Sequence, residues 1–301
     1  MSPGGKLRRK KNATMKVGCL SYNREGNRTM LAPAQMTMSA ARSFVESGLA
    51  EINVDPSVLA QHLSIIKNGM RRLSDDPEAQ QFFPYTVLKK DAMGWDEDAG
   101  YWCKRGSETK DYYHHCPEHV WDLESDLSRS FLPFLESCTN LTFWAWGNVR
   151  KLLRDIDAEY GLDIGRYFDN EYMVTRIVRY RKLLASIKED ALPHFDRDGI
   201  THHIWASHPG LMMYRDGTVH PVEETAWDRI AMFPGKKFLA LVKGAHGDHG
   251  LHGARDAREM TNGDDRIAII TFTHCSLPPY ALQWLQENDD RLKALADTYK
   301  L

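Results

Sequence analysis

The hydrophobic pattern of the amino-terminal half predicts helices with one short strand between them. Apolar residues at helical spacing predict a helix over residues 39–46 and an amphipathic helix over residues 58–73. Between them, residues 49–54 alternate apolar with polar or small side chains, which indicates a strand. Residues 121–160 again show helical spacing, which we interpret as two helices or as one helix bent at Pro133.

Large aromatic residues without a clear period characterise residues 83–118, between the helical stretches. Turn-forming residues are frequent in the same stretch, and neither the helical nor the strand period emerges from it. The pattern therefore predicts an irregular segment that covers part of the fold.

The pattern changes after Gly161, where short apolar runs are separated by turn residues such as Arg215-Asp216-Gly217. A closing helix with one apolar face is predicted from Pro279 to about Ala296. Short strands separated by turns over roughly 110 residues imply a β-sandwich or jelly roll. The predicted strands occupy residues 173–180, 203–206, 210–214, 238–243 and 266–273.

These elements favour a single α+β domain over residues 15–301, with a core that is mainly β. We divide it into a mixed helical part at 15–160, a strand-rich core at 161–278 and the carboxy-terminal helix at 279–301. Residues 1–14 are rich in lysine and arginine. We interpret them as a disordered, solvated tail, and the alternatives are a nucleic-acid arm or a targeting remnant.

The overall charge narrows the class of partner. The 301 residues carry a formal net charge of -2 with 27% charged side chains, so no general attraction to nucleic acid or an anionic membrane is predicted. No apolar run reaches the roughly 18 residues of a membrane-spanning helix. Five widely spaced cysteines without a C-x-x-C pair argue against a disulfide framework or a zinc knuckle. We therefore expect a cytoplasmic monomer that acts on a small molecule.

The motif His194-Phe195-Asp196 is the first candidate for chemistry. Alternate residues of an extended segment point to the same side, so the imidazole and the carboxylate converge on one point. A second, distant histidine would complete the 2-His-1-carboxylate set that binds Fe(II) and leaves three positions open. Spacing alone leaves the choice of that histidine open among His246, His249 and His252, which share one glycine-rich loop.

Further motifs follow His194-Phe195-Asp196 in a characteristic order. They are Gly199-Ile200-Thr201, Pro209-Gly210-Leu211-Met212, Trp227-Asp228-Arg229-Ile230, Phe233-Pro234-Gly235, Leu241-Val242-Lys243-Gly244, His252 and Arg266. The series resembles the isopenicillin N synthase-like branch of the Fe(II)/2-oxoglutarate dioxygenases, and the resemblance extends to residues 44–54. It implies a double-stranded β-helix, or jelly roll, with a helical amino-terminal cover and a carboxy-terminal helix.

The resemblance also implies roles for individual residues. His194 and Asp196 correspond to the family's proximal metal ligands. His252 corresponds to the distal ligand, because its separation from the following arginine matches the family best, and His249 is the second choice. Arg266 stands where the family has the arginine that binds 2-oxoglutarate.

Ala268 departs from the family's usual Arg-x-Ser pattern. One hydroxyl contact to 2-oxoglutarate would therefore be missing, and another donor must replace it. Tyr180, on the strand before the metal ligands, is a candidate for that contact. The alternative is a tyrosine that only packs in the core.

The reaction implied by the family couples decarboxylation of 2-oxoglutarate with O2 to hydroxylation, desaturation or oxidative cyclisation at a C–H bond. Halogenation is disfavoured because the carboxylate of Asp196 fills the position that a halide would need. One alternative is an Fe(II) oxidase of the same fold that does not use 2-oxoglutarate. The other is a non-catalytic jelly-roll binding protein.

The substrate is predicted only as a small polar metabolite, amino-acid-derived and of the kind met in secondary metabolism. Four arginines near the metal-bearing strands carry that expectation, since each offers a partner for a carboxylate. The alternative for all four is an ion pair in solvent. They are Arg176, Arg179, Arg255 and Arg258.

Overall fold

The fold was obtained as a computed structural model, which describes most of the chain from residue 38 onwards. The tail predicted at residues 1–14 lies outside the described residues. The described ranges are 38–103, 110–119, 121, 123–168, 173–181, 191–222, 228–243, 249–254 and 265–299.

The helices of the amino-terminal half confirm the pattern seen in the sequence. The Asp55 side chain accepts a hydrogen bond of 2.9 Å from the Ser57 backbone nitrogen and so caps the second helix. Pro133 lies in the first turn of the long fifth helix, where its missing N–H costs nothing, so it starts that helix and does not bend it. The helices are α1 Met38–Ser47, α2 Pro56–Asp75, α3 Pro77–Gln80, α4 Asp126–Arg129, α5 Leu132–Tyr160, α6 Lys236–Leu241 and α7 Pro279–Asp297, with a 3-10 turn at Gly165–Phe168.

The strands form two antiparallel sheets. Eight strands make the larger sheet in the order β1-β10-β7-β12-β5-β4-β3-β2, and the smaller sheet has the order β6-β11-β8-β9. Helix α5 packs against β4, β5, β7 and β12, and its buried face joins the main apolar core. The strands are β1 Ala50–Asn53, β2 Thr86–Lys90, β3 Asp96–Cys103, β4 Lys110–His115, β5 Met173–Tyr180, β6 Ala191–His194, β7 Ile200–Ala206, β8 Leu211–Arg215, β9 Thr218–Pro221, β10 Arg229–Pro234, β11 His252–Ala254 and β12 Arg266–Thr273.

The prediction of an irregular segment at residues 83–118 is wrong. Strands β2, β3 and β4 lie there and extend the larger sheet beyond β5. In β4 five of the six side chains are buried, including the charged Lys110 and Asp111. Buried charged residues removed the alternation of apolar and polar positions on which the prediction depended.

The strand predicted at residues 238–243 is also wrong, because this run lies mostly in helix α6. A short apolar run does not distinguish a buried strand from a buried helical turn by its period. The helix is held by ion pairs from its first two residues, Lys236 with Asp289 at 2.5 Å and Lys237 with Asp91 at 2.7 Å.

The ion pair between Lys237 and Asp91 is expected to contribute substantially to the free energy of unfolding. Both side chains are buried, and Asp91 also accepts hydrogen bonds of 2.9 Å from the backbone nitrogens of Met93 and Trp95. Removing Asp91 leaves Lys237 with Asp198 at 4.0 Å as its remaining carboxylate partner, so Asp91→Ala is expected to lower the free energy of unfolding by up to about 3–5 kcal/mol. Urea unfolding followed by circular dichroism measures it.

A double substitution serves as the control for this prediction. Adding Lys237→Met to Asp91→Ala removes the ammonium group that has lost Asp91 as its partner, and is expected to restore part of the lost stability. A single Asp91→Ala variant that unfolds within about 0.5 kcal/mol of the unchanged protein, as an ordinary surface substitution does, would show that the pair is not stabilising.

Candidate metal centre and its cavity

Two histidines and one aspartate meet at one end of the smaller sheet. His194 ends β6, Asp196 follows two residues later, and His252 begins β11. The two strands pair with His252 directly opposite His194, which places their side chains next to each other. Potential ligand atoms of the three residues all lie within 4.8 Å of one another.

Backbone carbonyl groups orient both imidazole rings. His194 Nδ1 lies 2.8 Å from the Leu192 carbonyl oxygen, and His252 Nδ1 lies 3.0 Å from that of Gly250. A carbonyl oxygen only accepts, so each Nδ1 carries the proton and each Nε2 keeps its lone pair for a metal. These Nε2 atoms lie 3.6 Å and 3.4 Å from the nearest oxygens of Asp196.

Burial and charge keep Asp196 and His252 in the protonation states that bind a metal. Burial by itself would raise the pKa of Asp196, but the two histidines and a hydrogen bond from Thr201 outweigh it and hold the pKa well below its usual range. Burial lowers the pKa of His252 to about 4. At neutral pH the site therefore presents a carboxylate and a neutral imidazole.

The arrangement fits a divalent transition metal. Ligands about 2.1 Å from a metal and at right angles to each other are separated by roughly 3 Å, close to the distances found here. Two imidazoles with one carboxylate are the donors of the facial triad that binds non-haem Fe(II). Among the residues that the structure describes, these three are the one group of three or more histidine, cysteine or acidic side chains that could hold a metal ion.

Thr201 supports the carboxylate ligand and provides a test of this geometry. Its hydroxyl donates a hydrogen bond of 2.5 Å to Asp196 Oδ2 from the buried strand β7. Loss of such an outer partner commonly costs about 10- to 100-fold in metal affinity, so we expect that loss from Thr201→Val. Anaerobic titration with Fe(II) measures it, and Thr201→Ser, which keeps the hydroxyl, should bind as the unchanged protein does.

A cavity between the two sheets adjoins the three side chains. Its volume is about 90 Å³. Lining residues come from β4, β5, β7, β10 and β12 of the larger sheet and from β6, β8 and β11 of the smaller one. The cavity therefore brings the candidate metal ligands together with side chains of the larger sheet.

Arg266 lines this cavity and is only 2% exposed. Its Nε donates a hydrogen bond of 3.0 Å to the His208 carbonyl oxygen, and its guanidinium carbon lies 5.0 Å from the centre of the Tyr180 ring. Gly210 makes room for the side chain, since a Cβ at that position would lie 3.0 Å from Arg266 Nε. Tyr180 lines the cavity next to Arg266, on the paired position of β5.

Alternation along β5 separates the two arginines predicted from this strand. Arg176 lines the cavity on the same face as Val178 and Tyr180. Arg179 lies on the opposite face, where its guanidinium pairs with Asp75 and Asp265, both at 2.6 Å. The structure therefore brings Arg176 to the cavity but not Arg179.

The remaining predicted residues fall into two groups. Arg255, Arg258 and the candidate ligand His246 lie outside the described residues. His249, the second choice for the distal ligand, is buried at a different cavity, next to Gly48 and Leu49.

Sequence reasoning did not assign several other residues to the cavity, among them Lys110, Thr201 and His203. For β7 a signal was available, because Thr201 and His203 are two residues apart and share one face of the strand. Their neighbour His202 points the other way, with its ring 5.5 Å from that of Trp144. Lys110 carried no signal, since its strand was not predicted.

Comparison with known proteins finds no matching family model and no matching curated protein sequence. Solved structures do match. A protein from Shewanella oneidensis, provisionally described as an oxygenase, is 18% identical over 86% of this chain and 94% of its own, with a TM-score of 0.60. The dioxygenase for auxin oxidation 1 from Arabidopsis thaliana, solved with 2-oxoglutarate, is 14% identical over 81% of this chain and 91% of its own, with a TM-score of 0.60.

A third match has the same character. A full-length protein from Neurospora crassa, solved with α-ketoglutarate and 5-formyluracil, is 14% identical over 85% of this chain and 90% of its own, with a TM-score of 0.59. The coverage shows that nearly the whole described chain shares the fold of these proteins. At such low identity the likeness is one of fold.

Proposed function

We propose that this chain is a non-haem Fe(II) oxygenase that couples decarboxylation of 2-oxoglutarate to oxidation of a C–H bond in a small molecule. One observation carries the proposal: His194, Asp196 and His252 meet at the same cavity into which Arg266 is buried. The shared fold supports it, since two of the matching proteins were solved with 2-oxoglutarate, which is α-ketoglutarate. We further infer that residues 15–301 form one domain and that the two sheets form a double-stranded β-helix.

Each residue has a definite task in this proposal. His194, Asp196 and His252 would hold Fe(II) and leave its other positions to 2-oxoglutarate and O2. The bound iron supplies oxidation by O2, with succinate and carbon dioxide as the products of 2-oxoglutarate. Arg266 would pair its guanidinium with the carboxylate of 2-oxoglutarate that the metal does not bind, a geometry for which the planar fork is suited. Tyr180, beside that guanidinium, would donate a hydrogen bond from its hydroxyl to the same carboxylate, in place of the serine that the family has at the position of Ala268.

The remaining walls of the cavity exclude water and orient the substrate. Val178, Ile270 and Phe272 from the larger sheet and Leu211 and Phe233 from around the metal ligands supply apolar surface. Because Asp196 fills one metal position, hydroxylation, desaturation and oxidative cyclisation fit the site better than halogenation does.

The matching proteins also guide the class of partner. The Neurospora protein was solved with 5-formyluracil, and the name of the Arabidopsis protein refers to auxin oxidation. By analogy we propose that the substrate is a small metabolite, with amino-acid-derived compounds among the candidates. We also propose that the enzyme is monomeric and cytoplasmic and that it has no nucleic-acid or membrane partner. Among the described residues, no helix is both long enough and apolar enough to cross a membrane.

Substrate-triggered release of succinate tests the proposal. Protein loaded with Fe(II) under argon is mixed with 2-oxoglutarate, oxygenated buffer and fractionated metabolite extracts, and succinate and oxidised products are measured by mass spectrometry. We expect one succinate for each product molecule. Product without succinate would favour the alternative oxidase that does not use 2-oxoglutarate, and a protein that binds neither Fe(II) nor 2-oxoglutarate would favour the non-catalytic binding protein.

A further inference from the structure

Arg176 presents a guanidinium group to the cavity, and no carboxylate of the described residues forms a direct ion pair with it. It lies on β5 and lines the same cavity as the candidate metal ligands. Its guanidinium carbon lies 4.6 Å from the centre of the Phe272 ring and 5.6 Å from that of Tyr112. Within the part of the chain that the structure describes, no carboxylate oxygen comes within the 4.0 Å of an ion pair. The neighbouring Arg179, by contrast, has two such partners.

A chain of hydrogen bonds fixes the position of Arg176. Its Nε donates a bond of 2.7 Å to His114 Nε2 on the paired strand β4. His114 Nδ1 in turn contacts a carboxylate oxygen of Asp98, whose other oxygen accepts a bond of 2.9 Å from the Tyr85 hydroxyl. Since Arg176 Nε only donates, His114 must accept at Nε2 and donate at Nδ1, so its ring is neutral. Burial lowers the pKa of His114, which agrees with that state.

This network leaves the outer edge of the guanidinium available. Its two terminal nitrogens make no hydrogen bond to any residue in the described ranges, whereas Nε is engaged with His114. Two parallel N–H groups on a planar, fixed fork are the arrangement that binds a carboxylate through both oxygens. The guanidinium is therefore already oriented for such a partner, which reduces the entropy lost on binding.

The charges around the cavity also favour a substrate with a negatively charged group. Among the described residues that line it, Lys110, Arg176 and Arg266 are cationic and Asp196 is the one anionic side chain. Fe(II) would add two positive charges, and 2-oxoglutarate would bring two negative ones. In the filled site Asp196 would be engaged by the metal and Arg266 by 2-oxoglutarate, so a negative group of the substrate would have Arg176 as its cationic partner.

We propose that the substrate is a small carboxylic acid and that Arg176 binds its carboxylate, held in position by His114 and Asp98. This inference rests on the proposed function, since it concerns the substrate of the same site. Tyr112 and Phe272 lie beside the guanidinium, and Val178 and Ile270 add apolar surface to the same cavity, which fits an acid with an apolar or aromatic body. Arg176 thus acts as a specificity-determining residue, and His114 as a positioning residue.

Binding of matched acids and amides tests the inference. The full chain is loaded with Mn(II), which does not support turnover, and with 2-oxoglutarate. It is then titrated with acetate, phenylacetate, indole-3-acetate and N-acetylphenylalanine, each beside its primary amide, by calorimetry and thermal shift. We expect the acids to bind at least about tenfold more tightly than their amides, and Arg176→Gln to abolish that difference. Arg150→Gln, on the exposed surface of α5, is the matched control and should retain it.

The outcomes separate the inference from the proposed function. If Mn(II) or 2-oxoglutarate fails to bind the unchanged protein, the proposed function fails. If both bind but the acids bind no more tightly than the amides, or not at all, the inference is overturned and the proposed function stands. An acid preference that persists in Arg176→Gln would likewise overturn the assignment of Arg176.

Substitution of His114 tests the positioning role. His114→Leu removes the acceptor for Arg176 Nε, while His114→Gln offers an amide oxygen near the place of Nε2. We expect His114→Leu to lose most of the acid preference and His114→Gln to keep much of it. Adding His114→Leu to Arg176→Gln should cause no further loss, because both act on the same contact. Additive losses, or an equal loss of acid and amide binding, would show a merely structural role.

Discussion

His194→Ala is expected to weaken Fe(II) binding by more than about 100-fold and to reduce substrate-triggered succinate release to the level without enzyme. The expected loss exceeds the roughly 10- to 100-fold that removal of an outer partner costs, because a ligand itself is removed. Two donors would remain, and a carboxylate with one imidazole does not occupy the three positions of the facial triad. Anaerobic calorimetry with Fe(II) measures the affinity, and succinate release measures the turnover.

His194 is the most informative of the three candidate ligands to replace. Its side chain is 48% exposed, whereas Asp196 and His252 are buried, so its loss should leave the metal-free fold almost unchanged. His220→Ala, on the exposed strand β9, is the matched control and should bind Fe(II) normally. Full iron-dependent turnover in His194→Ala, with unaltered metal affinity, would show that this cluster is not the metal centre.

The elements that the sequence predicts most accurately are those with an uninterrupted period. Strands β5 and β12 were predicted with the bounds that the structure has, and their register pairs Arg266 with Tyr180. Both strands are largely apolar and are bounded by turn residues, which makes their period clear. Strand β4 reads Lys-Asp-Tyr-Tyr-His-His, and its polar side chains are buried because they face partners or the cavity. Tertiary context, not local pattern, decides such a strand.

In the candidate site, too, some residues can be predicted from local sequence spacing, whereas others are placed by contacts between distant strands. His194 and Asp196 follow from a two-residue spacing, which extended backbone converts directly into proximity. Local spacing leaves three histidines open for the third candidate ligand, the family resemblance selects His252, and the pairing of β11 with β6 sets His252 opposite His194. Arg176 and Arg179 looked equivalent in sequence, and only the orientation of β5 against the two sheets distinguishes them.

The two sheets divide the chemistry between them. The smaller sheet supplies His194 and His252, while the larger sheet supplies the cationic side chains Lys110, Arg176 and Arg266. Arg266 and Arg176 both face the cavity but belong to different strands, β12 and β5. If Arg266 binds 2-oxoglutarate and Arg176 binds the substrate, as proposed, we expect the two affinities to be altered separately and the metal affinity to be retained in both cases.

Arg266→Met is expected to remove most of the affinity for 2-oxoglutarate and to leave metal binding unchanged. Arg266 is 2% exposed, and its planar fork is the proposed partner of the distal carboxylate. Truncating one partner of a buried, hydrogen-bonded charge pair costs about 2–5 kcal/mol, a loss of affinity on the order of 30-fold to several thousand-fold. Calorimetric titration of the Mn(II)-loaded protein with 2-oxoglutarate measures it.

Two further variants define what Arg266 contributes. Arg266→Lys keeps the charge but loses the fork, so its affinity should lie between those of Arg266→Met and the unchanged protein. Arg229→Met, on the partly exposed start of β10, is the matched control and should bind 2-oxoglutarate normally. Tyr180→Phe removes one neutral hydroxyl and should cost only about 0.5–1.5 kcal/mol. Unchanged 2-oxoglutarate affinity in Arg266→Met would remove this residue from co-substrate binding and strengthen the alternative of an oxidase that works without 2-oxoglutarate.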